Sequence, residues 1–160
     1  LDCVIAPRKV TTDRAIIWQP ICTERLVLVV QEQTMPNRTE ASLSEFQDWN
    51  FCLSTYGSDQ RFVEDDILYQ ANLSPNVVYV GTDMPYVVGH LQLPKLVAMI
   101  PESGISGIPP GARLKILKLT DPFCQLTLGI YYKAGNENDN LKRFIRFIQR
   151  RMGTIVRPIW

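Results

Sequence analysis

The run TERLVLVVQE (23–32) contains five consecutive large aliphatic residues, Leu26 to Val30, set between charged and polar flanks. A strand with one wet face alternates apolar and polar positions, whereas an unbroken run belongs to a strand covered on both faces. Covered sheets are roofed by helices, so this one segment already favours an α/β arrangement. Other short apolar runs recur between turn signals. DCVIA (2–6) reads as a strand stopped by Pro7, and AIIWQPI (15–21) as a strand separate from 23–32. NFCLS (50–54), NVVYVG (76–81), LVAMI (96–100), LKILKL (114–119) and CQLTLGIYYK (124–133) read the same way.

Helical signals fall between several of these strands. In SLSEFQDW (42–49), Ser42 followed by Glu45 is a capping box on a short helix. QRFVEDDILYQANL (60–73) carries Phe62, Ile67 and Tyr69 at roughly helical spacing. TDMPYVVGHLQL (82–93) opens with Thr82 or Asp83 as cap and places Pro85 in the first turn, where proline is tolerated. A last helix over 138–152 has Leu141, Phe144, Ile145 and Ile148 on one face. QTMPNRTEAS (33–42) reads as a loop. Alternating strands and helices predict an α/β fold with a mostly parallel sheet.

Composition narrows the function. The 160 residues include 17 basic and 16 acidic, a formal charge of +1, so the basic surplus that marks a nucleic-acid binder is missing. No apolar run is long enough to cross a membrane and no signal peptide opens the sequence. Cys3, Cys22, Cys52 and Cys124 form no C-x-x-C pair and sit mostly in apolar runs, as buried reduced thiols do. They suit a cytoplasmic compartment. Neither a metal cluster nor a nucleophile–base set stands out, so no catalytic residue, metal or cofactor is expected.

Taken in order, the pieces resemble the effector-binding domain of LysR-type transcriptional regulators over roughly residues 1 to 150. The stretches that carry the resemblance are LDCVIAP, ERLVLVV, SLSEFQDWNFCL and RFVEDDILYQANLSPNVVYV, with Asn72 at the family's usual glycine. LPKLVAMIPESGI is similar to the L-V-A-x-x-P variant of LeuO- and NodD-like members. Two departures stand out: Met35-Pro36 replaces a His-Pro-Leu-Ala seen in many members, and GTIVRPIW (153–160) matches no family segment.

The resemblance implies a periplasmic-binding-protein type 2-like α/β fold of two subdomains with crossing strands. On that reading the first subdomain is incomplete, and the DNA-binding domain and opening strand–helix units are absent. Residues 1–31 would be part of subdomain I, 32–121 subdomain II, 122–152 the return strand and C-terminal helix of subdomain I, and 153–160 a tail. Strands 2–6 and 124–133 would form one small sheet, and 50–54, 76–81 and 96–100 another. The implied partners are a small-molecule effector held between the subdomains and further copies of the chain in a dimer or tetramer. DNA would be reached only through the missing N-terminal domain, and no membrane is involved.

Ligands of such folds sit beyond the carboxyl ends of strands, where loops present N–H groups and hydroxyls. STYGSDQ (54–60) follows a strand and opens a helix, which makes Ser54, Thr55, Tyr56, Gly57, Ser58 and Asp59 candidate effector contacts. The same residue types also make an ordinary turn and helix cap. Thr82 and Asp83 repeat the arrangement after NVVYVG. By resemblance, Ala6 and Pro7 at the end of the first strand and Phe123 before the return strand complete the set.

His90, the only histidine, has no evident catalytic partner, and the basic cluster Lys142, Arg143, Arg146, Arg150 and Arg151 reads as a solvated helix face. The alternatives to a sensor domain are an extracytoplasmic solute-binding protein of similar fold and, less favoured, an enzyme.

Overall fold

The computed structural model describes residues 2–8, 13–81 and 84–155. The chain divides into two compact units, Leu1–Glu24 with Leu126–Trp160, and Arg25–Gln125.

The larger unit is a mixed sheet with its apolar run at the centre. Strand β2 (Ile16–Gln31) enters this unit at Arg25, and Leu26 to Val30 are at most 2% exposed, as expected of a strand covered on both faces. It pairs antiparallel with β6 (Leu96–Pro101) on one side and β7 (Leu114–Leu119) on the other. β4 (Asn50–Leu53) runs parallel to β6 and to β5 (Asn76–Val80). β3 (Glu40–Ala41) adds parallel to β7. The sheet is therefore mixed, with its parallel strands at β5–β4–β6 and β3–β7. Helix α1 (Asp59–Gln70) links β4 to β5, and α2 (Met84–His90) links β5 to β6.

Local chemistry fixes the ends of these elements. Ser58 caps α1 by accepting the Arg61 N–H at 3.2 Å. Asn72, just past α1, has φ 51°, the left-handed conformation that asparagine tolerates better than most residues, which fits its place at the family's glycine. The helix expected from the Ser42 capping box is a short 3₁₀ turn, Leu43–Phe46, where the Glu45 carboxylate accepts the Ser42 N–H at 2.9 Å. Asp121 reinforces it from far along the chain, accepting the Leu43 N–H at 2.7 Å and the Ser42 hydroxyl at 3.1 Å.

The smaller unit contains β1 (Cys3–Pro7), antiparallel to β8 (Gln125–Lys133), the first half of β2, and α3 (Asp139–Ile155). Its core of Ile130, Leu141 and Ile145 is small. Lys142, Arg143, Arg146, Arg150 and Arg151 are exposed, as a solvated face requires.

Two expectations change. The strands read as 15–21 and 23–32 are one 16-residue strand, because Pro20 is exposed, where a missing N–H does not break the ladder. The two expected strand groups fall in separate units, β1 with β8 in the smaller and β4, β5 and β6 in the larger, with β2 contributing its first half to one and its second half to the other. The polar segment 33–42 is not all loop, since it holds a 3₁₀ turn at Glu32–Thr34 and the two residues of β3. Most of the tail 153–160, beyond Ile155, lies outside the described residues.

Candidate functional site

In the larger unit the parallel strands β4, β5 and β6 end on one side, where backbone groups and loops converge. A cavity of about 200 Å³ lies there. Leu53 and Ser54 end β4, Gly81 follows β5, and Met99 to Pro101 end β6. Ser103 and Gly104 come from the 3₁₀ segment Glu102–Gly107, Gln60 and Glu64 from α1, and Val87 from α2. Cavities that enclose a whole drug-sized ligand measure roughly 300–1,000 Å³, so this one takes a very small ligand or one group of a larger one.

Glu64 organises the polar wall. It is 1% exposed, and its Oε2 accepts the Ser54 N–H at 2.8 Å. Its Oε1 accepts the Ser54 hydroxyl at 2.7 Å and the Gln60 amide at 3.0 Å. Burial pushes the Glu64 carboxyl above the ordinary range, opposed by these hydrogen bonds and by the nearby Arg61 charge. Arg61 is turned to other work. It donates to the Ser54 carbonyl at 3.2 Å and to Asp65 at 2.7 Å, and its guanidinium lies 4.2 Å from the centre of the Tyr56 ring. Cys52 also lines the cavity, and burial pushes its thiol up to about 11, so it is not a thiolate at neutral pH.

The expected contacts scatter around this cavity. Ser54 lines it, but its hydroxyl and N–H are already engaged by Glu64. Thr55 and Tyr56 are exposed on the turn, and Gly57 adopts φ 79°, a left-handed conformation that suits glycine. Ser58 is occupied as the α1 cap, and Asp59 begins the helix. Thr82 and Asp83 lie outside the described residues. Ala6 and Pro7 belong to the smaller unit, where Ala6 is buried opposite Gly129 and the Pro7 carbonyl accepts the Tyr131 hydroxyl at 3.0 Å. Phe123 is half-buried in the turn before β8. His90 is exposed, with its ring stacked 4.5 Å from that of Tyr79.

Sequence reasoning missed Glu64 and the Ser103–Gly104 loop, and it included Gln60 only as the end of the 54–60 segment without a role of its own. A signal for Glu64 was present: Arg61, Glu64, Ile67 and Leu68 follow helical spacing and form the buried stripe of α1. Phe62 and Tyr69, which the apolar spacing singled out, are 50% and 83% exposed.

Among the described residues no group of His, Cys, Asp or Glu is placed to hold a metal ion, and no helix is long and apolar enough to cross a membrane.

Comparison with known proteins gives a consistent picture. In Bacillus subtilis (strain 168), the "Uncharacterized HTH-type transcriptional regulator YybE" is 25% identical over 134 residues, 83% of this chain and 44% of that protein. The chain thus spans less than half the length of this relative. Full-length BenM superposes with a TM-score of 0.80 at 18% identity, covering 99% of this chain and 54% of BenM. The effector binding domain of QuiR, solved in complex with shikimate, gives 0.75 at 17% identity, covering 96% of this chain and 72% of that one. These structural likenesses establish the fold. A family model described as the LysR substrate binding domain matches residues 1–153. The chain belongs to the LysR substrate binding domain family.

Proposed function

We propose that this chain senses a small-molecule effector for a LysR-type transcriptional regulator and performs no catalysis on it. The observation that carries this reading is the cavity at the carboxyl ends of β4, β5 and β6, with polar side chains from three segments converging on it: Ser54, Gln60 with Glu64, and Ser103. The raised thiol of Cys52 argues against covalent chemistry there. The effector contacts proposed are Ser54, Thr55, Tyr56, Gly57, Ser58, Asp59, Thr82 and Asp83, together with Ala6, Pro7 and Phe123. In the cytoplasm the effector would act on a homo-oligomer, and DNA would be held by a helix-turn-helix domain outside this chain. Binding can shift that assembly only as far as the effector prefers one arrangement over another. YybE, a regulator by name, and QuiR, solved with a small molecule, support this reading by analogy.

Thermal melting against small polar molecules, followed by calorimetry on Thr55→Ala, tests it. Losing one neutral hydrogen bond of about 0.5–1.5 kcal/mol weakens binding roughly 2- to 12-fold. Unchanged affinity in Thr55→Ala moves the contact away from this turn, and a chain that no small molecule stabilises contradicts the sensor reading.

A further inference from the structure

The charge of the cavity points to the kind of group it accepts. Among the described residues none of its lining side chains is Lys, Arg or His. The ionisable oxygen wall is Glu64. Both of its oxygens act as acceptors, to the Ser54 N–H, the Ser54 hydroxyl and the Gln60 amide, which is the pattern an ionised carboxylate makes. A carboxylate offers about four acceptor sites, so roughly one remains after these three bonds for a donor inside the cavity. Arg61, whose charge acts on Glu64, is held by Asp65 and the Ser54 carbonyl and does not line the space. An anionic group entering here would meet a buried carboxylate and no basic side chain on the cavity wall to pair with, a juxtaposition that disfavours it.

We propose that this cavity selects a hydrogen-bond-donating group, a hydroxyl or an ammonium, and excludes a carboxylate, with Glu64 as the residue that sets this specificity. The inference rests on the cavity being the effector contact proposed above, and it concerns the group inserted there. Any acidic group of the effector lies elsewhere.

Benzyl alcohol, benzylammonium and benzoate share a ring and differ in the group they present. Titrated into the 160-residue chain, they are read by the Ser54 amide and Met99 methyl resonances, both at the cavity wall. The alcohol and the ammonium are expected to shift these signals at concentrations about tenfold lower than benzoate, or less. In Glu64→Gln, benzoate should gain about tenfold while benzyl alcohol stays within about threefold, because only the charge is removed. The wild-type series stands as a test even if that variant folds poorly. Benzoate binding as well as the alcohol at these two signals overturns the charge rule and leaves the cavity reading intact. If none of the three probes moves either signal, the cavity itself is not the contact site, and both readings fall.

Discussion

The cavity of the larger unit, about 200 Å³, and a groove on the smaller unit, about 240 Å³, differ little in volume and greatly in what lines them. The groove is formed by Ile5, Ile21, Leu128, Phe147, Ile148, Met152 and the stem of Arg151. It presents no hydroxyl, amide or carboxylate, and its walls are wet, with Ile5 45% and Phe147 62% exposed. The cavity instead is lined largely by buried residues, with Ser103 exposed at its edge, and Ser54, Gln60 and Glu64 are oriented by hydrogen bonds to one another. Volume alone does not make a recognition site. Convergent polar groups held by a packed surround do, because they lose little freedom when a ligand arrives.

Substitution in the two walls should expose this difference most sharply. Leu53, 2% exposed at the end of β4, is part of the packed surround, and Leu53→Ala should cost about 2–5 kcal/mol in urea unfolding. A loss near zero would mean the cavity wall is as loose as the groove.

Glu64→Ala comes next, because it strands the Ser54 N–H and hydroxyl in a buried place, at about 1–3 kcal/mol for each donor left unpaired. The same residue gives stability a pH dependence. Its folded-state proton affinity is raised above the ordinary value of 4.5, so the folded chain binds this proton at higher pH than the unfolded chain. Stability from this group therefore falls as the pH rises from 4.5 through the shifted value, and is recovered on acidification. Wild type should gain stability relative to Glu64→Gln as the pH is lowered from neutrality toward 4.5, and equal pH profiles would show that burial does not perturb Glu64.

Ser58→Ala removes the α1 cap and should cost about 0.5–2 kcal/mol, measured by the shift in unfolding midpoint. The smallest effect belongs to the groove. Phe147→Ala should stay within about 0.5 kcal/mol, as for an exposed surface position. A loss as large as that of Leu53→Ala would erase the contrast between the two walls.

Much of the larger unit was legible in its sequence because its strands are apolar runs bounded by Pro, Gly or polar turns. Leu26 to Val30 behaves as its unbroken pattern implies. Pro20 misled because its effect depends on which way the missing N–H faces, and pairing decides that. β3 was invisible because two residues carry no periodicity. The candidate site was half legible. The Ser54–Asp59 turn was singled out from its position after a strand and before a helix, and of its residues only Ser54 lines the cavity. Glu64 escaped because a glutamate in a helix is usually solvated, and its burial is made tolerable by the hydrogen bonds of Ser54 and Gln60 and the nearby Arg61 charge, none of which its spacing reveals.

Amide hydrogen exchange on the chain, with and without a small molecule that raises its melting temperature, tests the sensor reading most directly. The account predicts that ligand slows exchange at Ser54, Gly57, Ser103 and Gly104, around the cavity of the larger unit. Slowing confined to Leu128, Phe147 and Ile148 would place the ligand in the apolar groove and contradict it.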